Sequence, residues 1–174
     1  YVAWNWKAGG SASNNNDGAI TSSVSFNSTS QFSIIKYTGT GSATNFGHGL
    51  DGTPDFITIK NMSSSGDWQS WHGSFSVNER IKLNNSSAKA TNTSIFASQP
   101  DATRIYIGTG GDVNTNTNDY IVYAWKEVKG YSKFGVYSGD ANADGPLVYT
   151  GFSPALVIVR RTDSTSNWFM YDNK

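Results

Sequence analysis

The sequence contains no cysteine and only two histidines, His48 and His72. The absence of cysteine excludes a disulfide framework and every metal site that needs thiolate ligands. It also removes the redox signal from which a cellular compartment is usually inferred. With two histidines and no His-x-His spacing, a zinc site would depend on carboxylates that lie far apart in the sequence.

Charge is scarce and balanced. Charged residues make up 15% of the 174 residues, and 13 basic side chains offset 13 acidic ones. Such a chain has no basic patch large enough to neutralise several phosphates, so we expect no nucleic-acid partner. No apolar run approaches the roughly 20 residues that a membrane helix needs, so we expect no membrane span.

Good helix formers are also rare, since Leu occurs at four positions and Glu at two. Aromatic residues reach 14%, and Thr, Val and Ile are plentiful, which favours strands over helices. Short segments of alternating or apolar residues predict strands at 1–7, 32–37, 56–60, 68–72, 80–83, 93–97, 104–108, 120–126 and 156–159. Residues 8–31 form a long Asn- and Ser-rich loop that has room for a short strand at 20–26, and 108–119 reads as a flexible connection.

Two parts of the chain repeat one another at a spacing of 100 residues, as between Tyr37 and Tyr137. The same spacing relates Pro54 to Pro154, Ile57 to Val157, Lys60 to Arg160, Trp68 to Trp168 and Trp71 to Tyr171. A second echo relates 1–7 to 120–126 at a spacing of 119, because the long loop at 8–31 has only 127–131 as its counterpart. The sequence therefore predicts one full unit, 1–119, and the start of a second, truncated unit, 120–174.

These patterns predict an all-β fold, an antiparallel β-sandwich or jelly-roll-like domain built from tandem repeat units. Because the chain starts without Met and stops just after an echoed motif, we expect it to be a piece of a longer tandem protein.

Carboxylates are poorly placed for hydrolysis. A glycosidase needs two of them across the scissile bond. Glu79 precedes Arg80, which suggests a surface ion pair, and Glu127 lies in the connection between units. The aspartates fall mostly in turns, and no G-x-S-x-G elbow occurs. We therefore expect no enzyme activity and no catalytic residues, and an enzyme fragment acting on glycans is a disfavoured alternative.

One loop, at 140–145, has the opening pattern of a calcium site. Asp140, Asn142 and Asp144 alternate before Gly145, as oxygen ligands do around a hard cation. The twelfth position is Gly151 rather than a bidentate Glu. Two interpretations stay open: a calcium ligand set, or a polar hairpin loop with Asp-Gly turn chemistry. We expect no cofactor, with calcium as the alternative.

Several aromatic side chains lie just past polar loops. Flat rings beside polar side chains suit a sugar, since the rings stack and the polar groups bond the hydroxyls. The candidate glycan face consists of Trp68, Trp71, His72, Trp168 and Tyr171. The alternative is that rings repeated at one strand position belong to the core.

The assembled motifs resemble a repeat domain of tail-fibre and other virion surface proteins of environmental, largely marine, tailed bacteriophages. The resemblance rests on the segment from Phe32 to Gly41, on Gly47-His-Gly-Leu50, Pro54, Ile57-Thr-Ile-Lys-Asn61, Trp68 and Trp71-His72. The same pattern recurs at Gly130-Tyr-Ser-Lys-Phe134, Tyr137-Ser-Gly139, the segment from Asp144 to Phe152, and Trp168. It covers nearly the whole chain. The chain departs from the pattern at Asn14 to Asn16 and at Asp140. The resemblance implies a β-rich structural or adhesive module with no established active site.

Two functions are therefore expected. The first is a non-enzymatic virion module, extracellular on the particle, that attaches a tail fibre or surface fibre to host-surface glycans. The second is a self-assembling scaffold or decoration protein that forms filaments or cements subunits without binding sugar. The partners would be other copies of the chain or neighbouring virion proteins.

Overall fold

The computed structural model describes residues 5–173, which are nearly all strand, turn and loop. The all-β, antiparallel prediction is confirmed, since every strand ladder in this part of the chain is antiparallel. The strands are β1 (Ser13–Asn15), β2 (Ser22–Asn27), β3 (Phe32–Thr38), β4 (Thr44–Gly47), β5 (Phe56–Asn61), β6 (Gln69–His72), β7 (Glu79–Lys82), β8 (Ala90–Thr91), β9 (Arg104–Ile107), β10 (Asp119–Trp125), β11 (Leu156–Arg160) and β12 (Trp168–Asp172). A single helical turn, α1 (Gly111–Asn114), interrupts the strands described.

Eight strands form the main sheet, in the order β1-β2-β3-β10-β5-β6-β7-β8. Strand β10 lies at its centre, with Val122 opposite Ile35 of β3 on one side and Ile59 of β5 on the other. The predicted unit boundary between Asp119 and Tyr120 falls inside this strand. This strand, which carries residues from both sides of that boundary, joins the two halves of the main sheet.

Alternation along the strands divides the main sheet into an inner and an outer face. On β10, Tyr120, Val122 and Ala124 point inward and are fully buried. The two-stranded β4–β9 ladder covers this inner face, where Phe46 of β4 stacks on Tyr37 at 4.3 Å between ring centroids. The core between the two layers also contains Ile35, Ile57, Ile59, Trp71, Ile81, Ile105 and Ile107. Each such side chain stabilises the fold by roughly 1.5–3 kcal/mol through burial.

One end of the core is polar and holds α1 in place. The hydroxyl of Tyr120 donates to the Gly111 carbonyl at 2.8 Å and accepts from the Asn61 amide at 3.0 Å. Asn114 is fully buried, and its amide donates to the Gly108 carbonyl at 2.8 Å. The prediction of a flexible connection at 108–119 is therefore wrong, because buried hydrogen bonds from distant strands order this segment.

The strand predictions succeed where the alternation is longest. Strand β2 confirms the strand proposed inside the long loop, whereas β4 lies in a Gly-, Ser- and Asn-rich stretch and was not predicted. The predicted strand at 93–97 is instead a turn with one isolated bridge, Phe96 to Ile107. The Asn92 side chain accepts the Ser94 N–H at 2.9 Å and so favours a turn there. Residues 5–7 are not in a strand, and 1–4 lie outside the described residues.

Strands β11 and β12 form a separate two-stranded hairpin after β10. No helix within residues 5–173 has the length and apolar character to cross a membrane.

Candidate functional site

The structure separates the predicted aromatic residues. Trp71 points from β6 into the core and is only 3% exposed, so its ring is not on a surface that a ligand reaches. The alternative interpretation, that repeated rings belong to the core, describes Trp71. Trp68 precedes β6 by one residue and lies half-buried on the outer face, where its ring stacks on Tyr123 at 6.0 Å.

Trp68 belongs to a larger group of rings on the outer face, which we call the outer aromatic row. Ring centroids are 5.0 Å apart between Phe32 and Trp125, and 5.7 Å apart between Phe56 and Trp125. The row consists of Trp6, Phe32, Phe56, Trp68, Tyr123, Trp125 and Phe134. The sequence predicted a strand at 120–126 but did not join Tyr123 and Trp125 to Trp68, since the pairing of β10 with β5 is not visible in the sequence.

His72 lies at the end of β6, half-buried beside the rings of Phe56 and Phe75. Its Nδ1 atom accepts the Ser74 N–H at 3.1 Å, which makes it part of a tight turn. Burial lowers the pKa of His72, and the nearby Asp55 carboxylate offsets this only in part. The ring is therefore neutral at pH 7 and serves the turn rather than a charged site.

Trp168 anchors the β11–β12 hairpin to the first unit. Its indole N–H donates to the Lys82 carbonyl at 3.3 Å, and its ring packs against the core. The Arg160 guanidinium lies 5.3 Å from the centre of that ring and donates to the carbonyls of Asn85 at 2.7 Å and Ser87 at 2.5 Å. These contacts hold two parts of the chain together, and they cover part of the Trp168 ring.

Tyr171, on β12, is 61% exposed. Of the five predicted glycan residues, Tyr171 is exposed, Trp71 is buried, and Trp68, His72 and Trp168 are half-buried. The hairpin that carries Tyr171 does not bring it next to Trp68 through any ring contact among the described residues.

The two hairpins β5–β6 and β11–β12 pair in the same register after a shift of 100 residues. Ile57 lies opposite Trp71, and Val157 lies opposite Tyr171. The other pairs of Cα partners correspond in the same way: Phe56 with His72 and Leu156 with Asp172, Thr58 with Ser70 and Ile158 with Met170, Ile59 with Gln69 and Val159 with Phe169. The sequence spacing is thus reproduced as strand pairing.

Both glutamates are held by lysines. The ammonium of Lys89 lies 2.6 Å from Glu79, and that of Lys133 lies 2.9 Å from Glu127. The predicted pair of Glu79 with Arg80 is wrong, because neighbours on a strand point to opposite faces. Hydrogen bonds from the lysines lower the pKa of both carboxyls. Neither has the raised pKa that a general acid needs at neutral pH.

The Asp101 carboxylate accepts several short hydrogen bonds. Its oxygens accept from the backbone N–H groups of Thr103 at 2.8 Å and Arg104 at 2.7 Å, and from the Tyr106 hydroxyl at 2.7 Å. Burial acts to raise the pKa of Asp101, but these hydrogen bonds lower it far below its ordinary value. With its lone pairs occupied, this carboxylate orders the turn before β9 and is not available as a base.

The 140–145 loop is exposed and bonds to itself. Asp140 accepts the Asn142 N–H at 3.0 Å, and the Asn142 carbonyl accepts the Gly145 N–H at 3.1 Å. No three His, Cys, Asp or Glu side chains converge on a metal-sized site within residues 5–173. The loop geometry is that of turn chemistry, in which Gly145 adopts a φ of 60°.

An open polar groove of about 460 Å³ lies beside β1 and β2. Asn14, Asn15 and Phe26 contribute its side chains, and Gly9 and Gly49 form part of its floor. The groove is lined by amides and backbone rather than by titratable groups, so it offers hydrogen bonds and no acid–base chemistry.

Comparison with known proteins assigns a family. Over residues 1–174 the chain matches the model of a family described as a domain of unknown function, DUF7483. The chain therefore belongs to that family. No curated protein and no solved structure matches it significantly.

Proposed function

We propose that this DUF7483 domain is a non-enzymatic repeat module of a virion surface fibre, such as a tail fibre, and attaches the particle to host-surface glycans. The observation that carries the proposal is the shared register of the β5–β6 and β11–β12 hairpins. A chain that builds the same hairpin twice, and bonds the second hairpin to β7 and the loop after it through Arg160 and Trp168, suits an extended array.

The fold fits this role as a two-layer sandwich. In our interpretation the main sheet is one layer, the β4–β9 ladder is the other, and the core lies between them. Among the described residues, the proposed second unit contributes one hairpin, β11–β12. Repeats multiply weak contacts, so modest affinity in each unit gives firm attachment to a surface that carries many copies of a glycan.

Glycan binding would use the exposed rings. Trp68 corresponds to Trp168 and Tyr171 to the buried Trp71, so the two rings are not equivalent; Tyr171 is exposed and Trp68 is half-buried. Trp71 is excluded by its burial, so the glycan face is smaller than the sequence suggested. Aromatic faces beside neutral polar loops suit uncharged sugars, in keeping with the formal net charge of zero.

The test is binding of the chain to a glycan array and then to the best hit by calorimetry. Tyr171→Ala is expected to weaken binding about fivefold to tenfold, since one stacking ring contributes roughly 1 kcal/mol. Tyr149→Ala is the matched control, because Tyr149 is an exposed tyrosine that lies outside the strands of both hairpins. Equal loss in the two variants, or particles that lack the module yet adsorb normally, would refute the adhesive role.

A scaffold or decoration protein that assembles without sugar is the second candidate. The observation that favours it is the exposed apolar surface of β11 and β12, which suits contact with another protein. An array without hits, together with ordered filaments in electron micrographs, would select this candidate over the first.

A further inference from the structure

We infer that the open polar groove beside β1 and β2 is a binding subsite for one uncharged sugar residue of a glycan. The class of ligand rests on the proposed function, whereas the place and the shape of the site rest on the groove itself. Its volume of about 460 Å³ falls within the range of small-molecule sites, roughly 300–1,000 Å³. Neither Trp68 nor Tyr171 lines the groove, so it is separate from the rings considered above.

One wall of the groove, residues 9–11, is fixed by hydrogen bonds from β2. The Ser25 hydroxyl donates to the Gly10 carbonyl at 2.8 Å and accepts the Gly10 N–H at 3.3 Å. Gly9 lies directly against the backbone of β2, because a Cβ atom there would come within 1.8 Å of the Phe26 carbonyl oxygen. Contacts within the chain therefore hold the wall in place, and such preorganisation lowers the cost of binding a ligand.

The groove offers an apolar face and neutral polar groups together. Phe26 is half-buried, so part of its side chain remains accessible in the groove. Ser13 lies opposite Val24, which puts its side chain on the face of the sheet that also carries Phe26. The side chains of Ser11 and Ser13 are exposed and form no hydrogen bond within residues 5–173. A sugar needs both features, since its C–H groups pack on a ring and its hydroxyls bond polar side chains.

The lining of the groove selects against charge. Its side chains come from Ser, Asn, Val and Phe, and none of them titrates. A carboxylate or phosphate on the ligand would lose part of its hydration there without gaining a cation. We therefore expect the groove to bind a neutral sugar in preference to an acidic one.

The groove also belongs to a segment that the repeat does not require. Most of its lining lies within residues 8–31, for which the second copy has only 127–131. Binding residues concentrate on segments of this kind, which a rigid scaffold positions. The groove is thus an addition to the repeated hairpins and not part of their packing.

NMR titration of the isotope-labelled chain tests the site. The probes are glucose, galactose and mannose, each compared with the uronic acid that differs from it by one carboxylate. We expect at least one hexose to shift the backbone amide signals of Gly10, Ser11 and Ser13, and its uronic acid to bind at least about fivefold more weakly. The inference is overturned if no hexose shifts these signals, or if the acid binds as tightly as its hexose.

Gly10→Leu tests where the ligand lies. Apart from its neighbours in sequence, a Cβ atom at Gly10 meets no heavy atom within 4 Å, and Gly10 does not have a positive φ, so the fold accommodates a side chain there. Gly139→Leu is the matched control, because Gly139 has the same open space and does not line the groove. We expect Gly10→Leu to weaken hexose binding at least about fivefold while the urea midpoint stays unchanged, since the added side chain narrows the groove. Equal affinities in the two variants would overturn the assignment to the groove.

Two results separate this inference from the proposed function. Loss of glycan binding in Tyr171→Ala, with full binding in Gly10→Leu, would overturn the groove and keep the adhesive role. Hexose binding in the groove by a module that particles do not need for adsorption would support the groove and refute the adhesive role.

Discussion

Replacing Ile57 by Ala tests whether β5 is enclosed as the structure describes. Ile57 is fully buried and lies opposite Trp71 on β6 and Ala124 on β10. Strands therefore border it on both sides, and the β4–β9 layer covers it from above. The neighbours of Ile57 cannot move in to fill the cavity that a smaller side chain would leave, because the strand ladders fix their backbones.

The expected loss of stability is large. Truncating a buried Ile to Ala removes the transfer free energy of the lost carbons and leaves a cavity, and together these cost about 2–5 kcal/mol. We expect the upper half of this range, since both flanking strands are central in the main sheet. With a urea m-value of about 2 kcal/mol/M, a loss of about 4 kcal/mol lowers the unfolding midpoint by about 2 M.

The assay is urea unfolding followed by tryptophan fluorescence, in which the buried Trp71 acts as a reporter beside the substituted site. Val157→Ala is the matched control, because Val157 occupies the equivalent position in β11 and is 39% exposed. At concentrations where copies do not associate, Val157→Ala should change the free energy of unfolding by less than about 0.5 kcal/mol. Equal losses at the two positions would refute the difference in enclosure between the hairpins.

Two other predictions concern buried polar groups. His48 is completely buried, its Nδ1 accepts the Leu50 N–H at 3.1 Å, and burial lowers its pKa. The native state thus resists protonation of His48, so the free energy of unfolding should fall as the pH drops below about 6.5. His48→Gln should weaken this pH dependence in urea titrations at pH 7 and pH 5. Tyr37→Phe removes the donor to the buried Val113 carbonyl, 2.5 Å away, and should cost about 1–3 kcal/mol in the same assay, whereas Tyr149→Phe at an exposed site should cost nothing measurable.

Local alternation predicted the parts of the fold that depend on neighbours in sequence. Strand β10 was predicted from alternation and β3 and β5 from short segments rich in apolar residues, and all three were predicted near their observed bounds. The helical turn α1 was not, because its four residues are held by Tyr37, Asn61 and Tyr120 from distant strands. No local pattern contains those contacts, so residue propensities alone predicted a flexible connection in this segment.

In the candidate site too, local sequence patterns predicted some features and missed those that depend on contacts between distant strands. Trp68 and Trp71 are three residues apart, which puts them on opposite faces of an extended segment, and the structure places one ring outside and the other in the core. That signal was in the sequence. The outer aromatic row was not, because Phe32, Phe56 and Trp125 meet only through the pairing of β3, β5 and β10.

The two hairpins show how one sequence pattern comes to have two environments. Strand pairing within a hairpin depends on residues close in the chain, so β11 and β12 adopt the register of β5 and β6 without further support. Burial of the same positions depends on residues far away in the chain, because Phe46 of β4 and Ile105 of β9 pack in the core that encloses Ile57, and Val157 lies outside that core. The exposure of Val157 is thus set by tertiary contacts rather than by its local sequence.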